Sequence, residues 1–308
     1  MTILHICAGW ENWNGAANIA RLIMCEQERE GHFVSFRSWA GIKNLRAADE
    51  VWIHCSWLPC LWWAALWGRN IHWMPECSYD PIRRSYHGWK KTLVGPIERF
   101  CLRRASILVA TCEAEKRWIR SYLGHRCPPI LVTDIKRFFT LVPSETLGQT
   151  LNLTWDARQT SHRHPLHLLY LGRRHPLKGL EYLESALNTY YNMCSIEFRA
   201  VSNAFGEELE RIWDWCDVLI LPTLSDNFGL VIAEALERGK RVITTDGAPA
   251  WSPSEVAADD KGEDDTYGGR LIYLKGFRAG TKAQRVQLLK DAIASLVQSY
   301  LSQSGGSQ

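Results

Sequence analysis

The chain has 308 residues, 46% of them hydrophobic, which is enough for two domains that each bury a core. Its formal net charge of +3 is too small for the strong basic stripe of a dedicated nucleic-acid-binding protein. None of its ten cysteines forms a C-x-x-C pair, so we expect reduced cysteines in the cytoplasm rather than a disulfide framework.

The first 39 residues have the pattern of a strand, a helix and a second strand. An apolar strand over residues 3–8 begins the chain; a signal peptide is not expected, because a basic leader is missing. A polar turn ending at Gly15 leads into a helix over residues 16–30, and a strand follows over residues 33–39. The turn lacks the G-x-G-x-x-G pattern of dinucleotide binding, so we expect Gly15 to let another ligand approach the backbone.

Two further predicted strands lead to titratable residues. His54 ends the strand over residues 50–54, and Glu76 follows the strand over residues 70–74. Because the carboxyl ends of parallel strands meet at one edge of a sheet, both side chains are candidate site residues.

Two segments of the first half permit a structural and a membrane interpretation. Residues 57–67, WLPCLWWAALW, are too short to span a bilayer, and a core helix is favoured over a Trp-rich face at a membrane surface. The basic segment over residues 83–104 contains Trp89 and Phe100 and is either a solvated helix face or a docking site for anionic phospholipid.

Poor periodicity over residues 139–165 predicts the connection between the domains there. The predicted domains cover residues 1–150 and 165–280, and a C-terminal helix follows over residues 281–302. In the second domain we expect strands over residues 166–171, 195–201, 219–221, 241–245 and 270–274, and an irregular loop over residues 257–269.

The stretch over residues 219–251 combines a buried strand, a polar loop, a helix from Leu230 and another strand. In an open α/β sheet this order brings a loop and a helix N-terminus to the ligand-binding edge. Glu234 lies in the otherwise apolar helix start. It either pairs with Arg238 one turn later or accepts hydrogen bonds from ligand hydroxyls.

Cations and carboxylates follow one another in the second half. Arg173 and Lys178 come after its first strand, and Asp226 and Glu234 come after a later one. Arg and Lys suit phosphate oxygens, while carboxylates suit sugar hydroxyls. This combination describes a nucleotide-sugar site.

On these motifs the chain resembles glycosyltransferase family 4. Gly172-Arg173 with Lys178-Gly179 is similar to the family's diphosphate-binding segment, and residues 226–235, DNFGLVIAEA, are similar to its E-x7-E signature. MPECSYDP at 74–81 and ATCEAEKRWI at 110–119 resemble the acceptor domain of bacterial members that build lipopolysaccharide and other surface glycans. The resemblance implies an α/β protein of the GT-B fold, with two Rossmann-like doubly wound domains facing a central cleft.

The resemblance also implies roles for individual residues. Arg173 and Lys178 would bind the donor diphosphate and stabilise the leaving nucleotide, and Glu234 would accept hydrogen bonds from the ribose. Gly15 would approach the donor phosphates, while His54 and Glu76 would lie near the transferred sugar or the acceptor. The donor hexose would be held by the segment that contains Asp226, Asn227, Phe228, Gly229 and Leu230.

The implied reaction is metal-independent transfer of a hexose with retention, from a UDP sugar rather than a GDP sugar, to a glycan or lipid-linked acceptor. No cofactor is expected, and an anionic membrane surface on the inner face of the membrane is a candidate partner. Asp226 replaces the family's usual Glu, and the chain between Tyr190 and Ser195 is shorter than in relatives. A shortened second domain is therefore expected, and a catalytically inactive binding or scaffolding partner is the alternative function.

Overall fold

The computed structural model describes residues 1–8, 15–86, 88–139, 165–190, 196–253, 267 and 269–304. The chain divides into two compact units, Met1–Phe138 and Phe139–Gln308. The turn before Gly15, almost all of the predicted connection and most of the loop predicted over residues 257–269 lie outside the described residues.

The first unit is built on a six-stranded parallel sheet in the order β2-β1-β3-β4-β5-β6. The chain begins in the interior of the sheet, adds β2 on one side of β1 and then continues on the other side. Its topological switch point therefore lies between β1 and β3, where open α/β sheets bind ligands. The strands are β1 (Thr2–Cys7), β2 (Phe33–Arg37), β3 (Glu50–His54), β4 (Ile71–Met74), β5 (Ile107–Ala110) and β6 (Ile130–Val132).

Helices connect these strands and cover the sheet. The Trp-rich run forms a helix that starts at Pro59, which suits a first helical position because its missing N–H would have no helical partner. Its Leu61, Ala64 and Ala65 are buried in the core, which confirms the core-helix interpretation. The helices of this unit are α1 (Gly15–Arg29), α2 (Ile42–Ala47), α3 (Pro59–Trp67), α4 (Pro81–Ser85), α5 (Gly88–Leu102) and α6 (Glu113–Leu123).

The second unit has a five-stranded parallel sheet in the order β11-β10-β9-β7-β8, one described strand fewer than the first. β9 is buried along its whole length, as its continuous apolar sequence predicts for an inner parallel strand. The switch point lies between β7 and β9. The strands are β7 (Leu166–Leu171), β8 (Ile196–Val201), β9 (Val218–Leu221), β10 (Arg241–Thr245) and β11 (Leu271–Leu274).

The described helices of the second unit are α7 (Leu180–Leu187), α8 (Gly206–Trp215), α9 (Leu230–Glu237) and α10 (Lys282–Ser304). Gly239, in the left-handed conformation at φ +72°, ends α9 and donates its N–H to the Leu236 carbonyl at 3.0 Å, as expected for a helix C-terminal glycine. Over the described ranges of both units, no helix combines the length and the apolar character needed to cross a bilayer.

Candidate functional site

Three loops meet at the carboxyl ends of β7, β9 and β10 in the second unit. The Leu177 carbonyl, in the loop after β7, accepts hydrogen bonds from the Leu224 N–H at 2.8 Å and the Thr223 hydroxyl at 3.0 Å. The Asp226 N–H, in the loop after β9, donates to the Gly247 carbonyl at 2.8 Å. These bonds join the predicted diphosphate-binding segment to the predicted sugar-binding segment at the switch point.

Two glycines let these loops approach each other. Gly179 has φ +69°, and a Cβ at this position would lie 1.9 Å from the Pro222 carbonyl oxygen. A Cβ on Gly247 would lie equally close, at 1.9 Å, to the Thr223 carbonyl oxygen. Because the opposing atoms belong to the backbone and cannot rotate away, only glycine fits at either position.

Lys178 and Asp226 form an ion pair where these loops meet. Each side chain is 14% exposed, so the pair lies at the edge of solvent and is partly screened. The second Asp226 oxygen, Oδ1, accepts the Asn227 N–H at 2.9 Å. The structure thus brings together two residues that the sequence assigned to different parts of the donor.

Arg173 lies in the same loop as Lys178 and is exposed. Its carbonyl accepts a hydrogen bond from the Tyr170 hydroxyl at 2.8 Å, which fixes the backbone at the end of β7. Burial is the larger cause that raises the pKa of Tyr170, and the nearby Asp226 carboxylate is the second. The hydroxyl therefore stays protonated and acts as a donor. The side chain of Arg173 is therefore presented to solvent from a backbone held in place.

The segment before α9 is fixed by aromatic packing. The Phe228 side chain is buried. The backbone carbonyl of Phe228 accepts a hydrogen bond from the Trp251 indole N–H. Gly229 precedes Leu230 in the left-handed conformation at φ +70°, and the helix begins there as predicted. The segment from Asn227 to Leu230 is thus held rigidly beside Asp226.

Glu234 lies one turn into α9 and is largely buried. Burial raises the pKa of its carboxyl group, and the neighbouring Arg238 opposes that rise. The Arg238 guanidinium donates to Glu210 at 2.8 Å and reaches only the backbone carbonyl of Glu234, at 3.3 Å. The simple Glu234–Arg238 ion pair is therefore not formed. Within the described part of the chain, no hydrogen bond engages the Glu234 carboxylate.

In the first unit, Gly15 is the first residue of α1, at the carboxyl end of β1. It is exposed, and no atom of the described residues lies within 4 Å of the position that a Cβ would occupy. Its role in donor binding stays a prediction.

His54 and Glu76 meet, as their positions at adjacent strand ends predict, in a buried chain of polar side chains. The His54 Nδ1 lies 3.3 Å from Glu76 Oε1, and its Nε2 lies 3.0 Å from His5 Nδ1. His5 Nε2 in turn contacts Gln27 Oε1 at 2.8 Å. The chain runs through the switch point between β1 and β3.

Burial sets the protonation of this polar chain. It lowers the pKa of His5 and of His54 to about 3 in each case, so both rings are neutral at physiological pH. It also raises the pKa of Glu76 well above its usual value. Glu76 is held at φ +55°, a strained conformation for a non-glycine residue that is concentrated at functional sites.

Sequence reasoning missed His5 and Gln27 as members of this group. The available signal was a histidine inside the apolar strand β1. Parallel strands that are buried on both faces rarely contain a titratable residue. Gln27 gave a second signal, because it continues the four-residue spacing of Ile19 and Ile23 along the side of α1 that the structure buries.

No group of three His, Cys, Asp or Glu side chains suited to a metal ion occurs among the residues that the structure describes. Metal independence stays a prediction. The charged groups that meet in the second unit are instead the cation Lys178 and the carboxylate Asp226, which suit phosphates and hydroxyls.

The first unit is similar to a known family. Residues 8–133 match the family model described as a glycosyl transferase 4-like domain. A comparison with curated protein sequences finds no match.

Solved structures resemble the whole chain. Sucrose-phosphate synthase from Thermosynechococcus elongatus superposes with a TM-score of 0.64 at 13% identity, covering 99% of this chain and 92% of that one. HepE from Anabaena in complex with UDP-glucose gives 0.58 at 12% identity, with the same coverage of 99% and 92%. WaaG, a glycosyltransferase involved in lipopolysaccharide biosynthesis, gives 0.53 at 10% identity, covering 99% and 93%. At these identities the likeness shows a shared fold.

Proposed function

Because residues 8–133 match the glycosyl transferase 4-like domain and the chain has the GT-B fold, we propose that it is a retaining hexosyltransferase. Its donor is a nucleoside-diphosphate sugar with UDP rather than GDP, and its acceptor is a glycan or lipid-linked sugar of cell-surface polysaccharide synthesis. The UDP-glucose bound to HepE and the role of WaaG in lipopolysaccharide biosynthesis support these choices.

The Lys178–Asp226 ion pair at the switch point carries the proposal. A donor diphosphate brings more negative charge than one carboxylate and therefore competes with Asp226 for the lysine. Arg173, exposed in the same loop, supplies the second cation. Once its lysine contacts phosphate, Asp226 can accept hydrogen bonds from the hexose hydroxyls.

Glu234 supplies the acceptor for the ribose hydroxyls in this proposal. Its carboxylate is largely buried and carries the cost of that burial without a hydrogen bond from the described residues. Ribose hydroxyls would provide the donors that offset this cost.

The reaction breaks the bond between the hexose anomeric carbon and the diphosphate oxygen. The acceptor hydroxyl forms its bond to that carbon on the same face, and the leaving phosphate takes the hydroxyl proton. Lys178 and Arg173 stabilise the negative charge that develops on the leaving group. Because the loop backbone that carries both cations is held in place before the reaction, little backbone reorganisation is needed.

The first unit binds the acceptor in this proposal. His54 and Glu76 are buried beside the switch point and would position the transferred sugar or the acceptor. The raised pKa of Glu76 favours its protonated form, which can donate a hydrogen bond to the unprotonated Nδ1 of neutral His54 and so hold the two side chains in place. The protein works in the cytoplasm, at the inner face of the membrane, without a metal.

The proposal is tested by incubating the protein with UDP-glucose and other UDP and GDP sugars. Thermal stabilisation by UDP and release of UDP from at least one UDP sugar are the expected results. Failure of every nucleoside diphosphate to raise the melting temperature would contradict the proposal. Binding of UDP without release in the presence of glycan and lipid-linked acceptors would instead favour a catalytically inactive binding protein.

A further inference from the structure

The polar chain of the first unit joins α1 to the residues that follow β4. Its four members are buried: Gln27, His5, His54 and Glu76. Their successive polar atoms lie 2.8, 3.0 and 3.3 Å apart, so each pair is within hydrogen-bond distance. Because water hardly reaches these groups, the side chains themselves must supply one donor and one acceptor at each contact.

The order of donors and acceptors begins at Gln27. Its Oε1 can only accept, so the contact with His5 Nε2 requires a proton on that nitrogen. Burial lowers the pKa of both rings to about 3, so each ring carries one proton at physiological pH. His5 Nδ1 is therefore an acceptor, and His54 Nε2, which lies 3.0 Å away, donates to it.

The same order reaches Glu76. Since the single proton of His54 is on Nε2, its Nδ1 is an acceptor and lies 3.3 Å from Glu76 Oε1. An ionised carboxylate would place two sets of lone pairs against each other at this contact. A proton on Glu76 Oε1 instead gives every contact of the polar chain one donor and one acceptor.

We propose that His5 and Gln27 are positioning residues that hold Glu76 as a neutral acid by fixing the direction of the hydrogen bonds in the polar chain. His5 acts through His54, and Gln27 acts through His5. In the opposite direction, an ionised Glu76 would accept from His54 Nδ1, and an unprotonated His5 Nε2 would face the amide oxygen of Gln27. The observed contact at 2.8 Å disfavours that arrangement.

Other groups around Glu76 have opposing effects on its protonation. Burial is the largest cause that raises the pKa of Glu76, and the carboxylate of Glu115 in α6 adds to the rise. Arg83 in α4 and the thiol of Cys55 lower the pKa; the thiol Sγ lies 3.9 Å from Glu76 Oε2. Among the described residues, His54 alone is hydrogen-bonded to Oε1, so the polar chain decides which carboxyl oxygen holds the proton.

A neutral Glu76 suits the proposed reaction, and this part of the inference rests on the proposed function. The donor is a diphosphate, and a negative charge on Glu76 near the transferred sugar would repel the leaving group. A protonated Glu76 also cannot act as a base, which agrees with a leaving phosphate that takes the proton of the acceptor hydroxyl. The order of protons in the polar chain does not depend on the reaction.

Nuclear magnetic resonance of the full chain, labelled with ¹⁵N in its histidine rings, tests the inference without a ligand. Replacing one histidine at a time assigns the signals, and we expect neutral rings with the proton on Nε2 for His5 and His54. In His5→Phe, the Nε2–H of His54 loses its acceptor, so His54 should change to the Nδ1–H form. His5→Asn is the matched control, because Oδ1 of asparagine, like Nδ1 of histidine, is bonded to Cγ and can accept. It should leave His54 with the proton on Nε2.

Infrared spectroscopy follows Glu76 in the same samples through the carbonyl band of its protonated form, which Glu76→Gln identifies. His5→Phe should move the titration of this band about one pH unit lower, the equivalent of one hydrogen bond. His5→Asn should leave it within a few tenths of a unit of the parent protein. A purely structural role for His5 would lower the melting temperature of both variants without this difference between them.

Three results would overturn the inference. They are a proton on Nδ1 of His54 in the parent protein, an unchanged His54 in His5→Phe, and the same change of His54 in His5→Asn as in His5→Phe. UDP binding is measured on the same samples. The expected protonation of both rings without any stabilisation by UDP would contradict the proposed function alone, whereas UDP binding with the wrong protonation would contradict this inference alone.

Discussion

Gly179→Ala tests whether the close contact of two loops builds the donor site. The left-handed conformation of Gly179 costs a non-glycine residue about 1–2 kcal/mol. The new Cβ would also lie 1.9 Å from the Pro222 carbonyl oxygen. Displacing a packed backbone adds about 1–3 kcal/mol. The expected loss of stability is therefore about 2–5 kcal/mol, or about 4–20 °C in the melting temperature of a unit of this size.

The matched control is Gly206→Ala. Gly206 also has positive φ, at +56°, but its Cβ position has no neighbour within 4 Å in the part of the chain that the structure describes. This variant should lose only the conformational part, about 1–2 kcal/mol. Thermal unfolding followed by circular dichroism compares the two. Equal losses would refute the reasoning, because the contact with Pro222 would then contribute nothing.

Three further predictions concern the polar groups. Glu234→Ala should weaken UDP binding about tenfold or more without lowering the melting temperature, and unchanged affinity in calorimetry would remove its ribose role. Tyr79→Phe should destabilise the protein by about 1.5–3 kcal/mol, because buried Glu98 loses a donor at 2.6 Å; an unaltered melting temperature would contradict this. His5 and His54 take up protons near pH 6.5 when unfolded but only near pH 3 when folded. The free energy of unfolding is therefore highest with respect to these two rings above pH 6.5. It falls on acidification by about 1.4 kcal/mol per pH unit for each ring. His5→Gln should reduce this slope of stability against pH, and an unchanged slope would exclude His5 as a source.

Much of the fold could be predicted because the strands are short apolar runs bounded by polar or turn-forming residues. The bounds of Glu50–His54 and Arg241–Thr245 agree with the sequence prediction at both ends. The α/β class followed from the alternation of such runs with helical patterns. The two parallel sheets confirm it.

The contacts that define the site could not be predicted, because they depend on strand order. Lys178 and Asp226 are 48 residues apart and meet only because β9 pairs with β7. The sequence showed the chemical type of each residue but assigned them to separate groups of the donor. Periodicity also could not show that Glu98 faces the core, because a single acid among many cations is normally solvated.

The most direct test of the account is a calorimetric titration of the protein with UDP, repeated on Lys178→Ala. Lys282→Ala, which removes an exposed cation at the start of α10, serves as the control. We expect the parent and the control to bind UDP equally, and Lys178→Ala to bind at least about tenfold more weakly because a charge-assisted contact to phosphate is lost. Equal affinity in Lys178→Ala would contradict the account, since the diphosphate would then bind somewhere other than the switch point of the second unit.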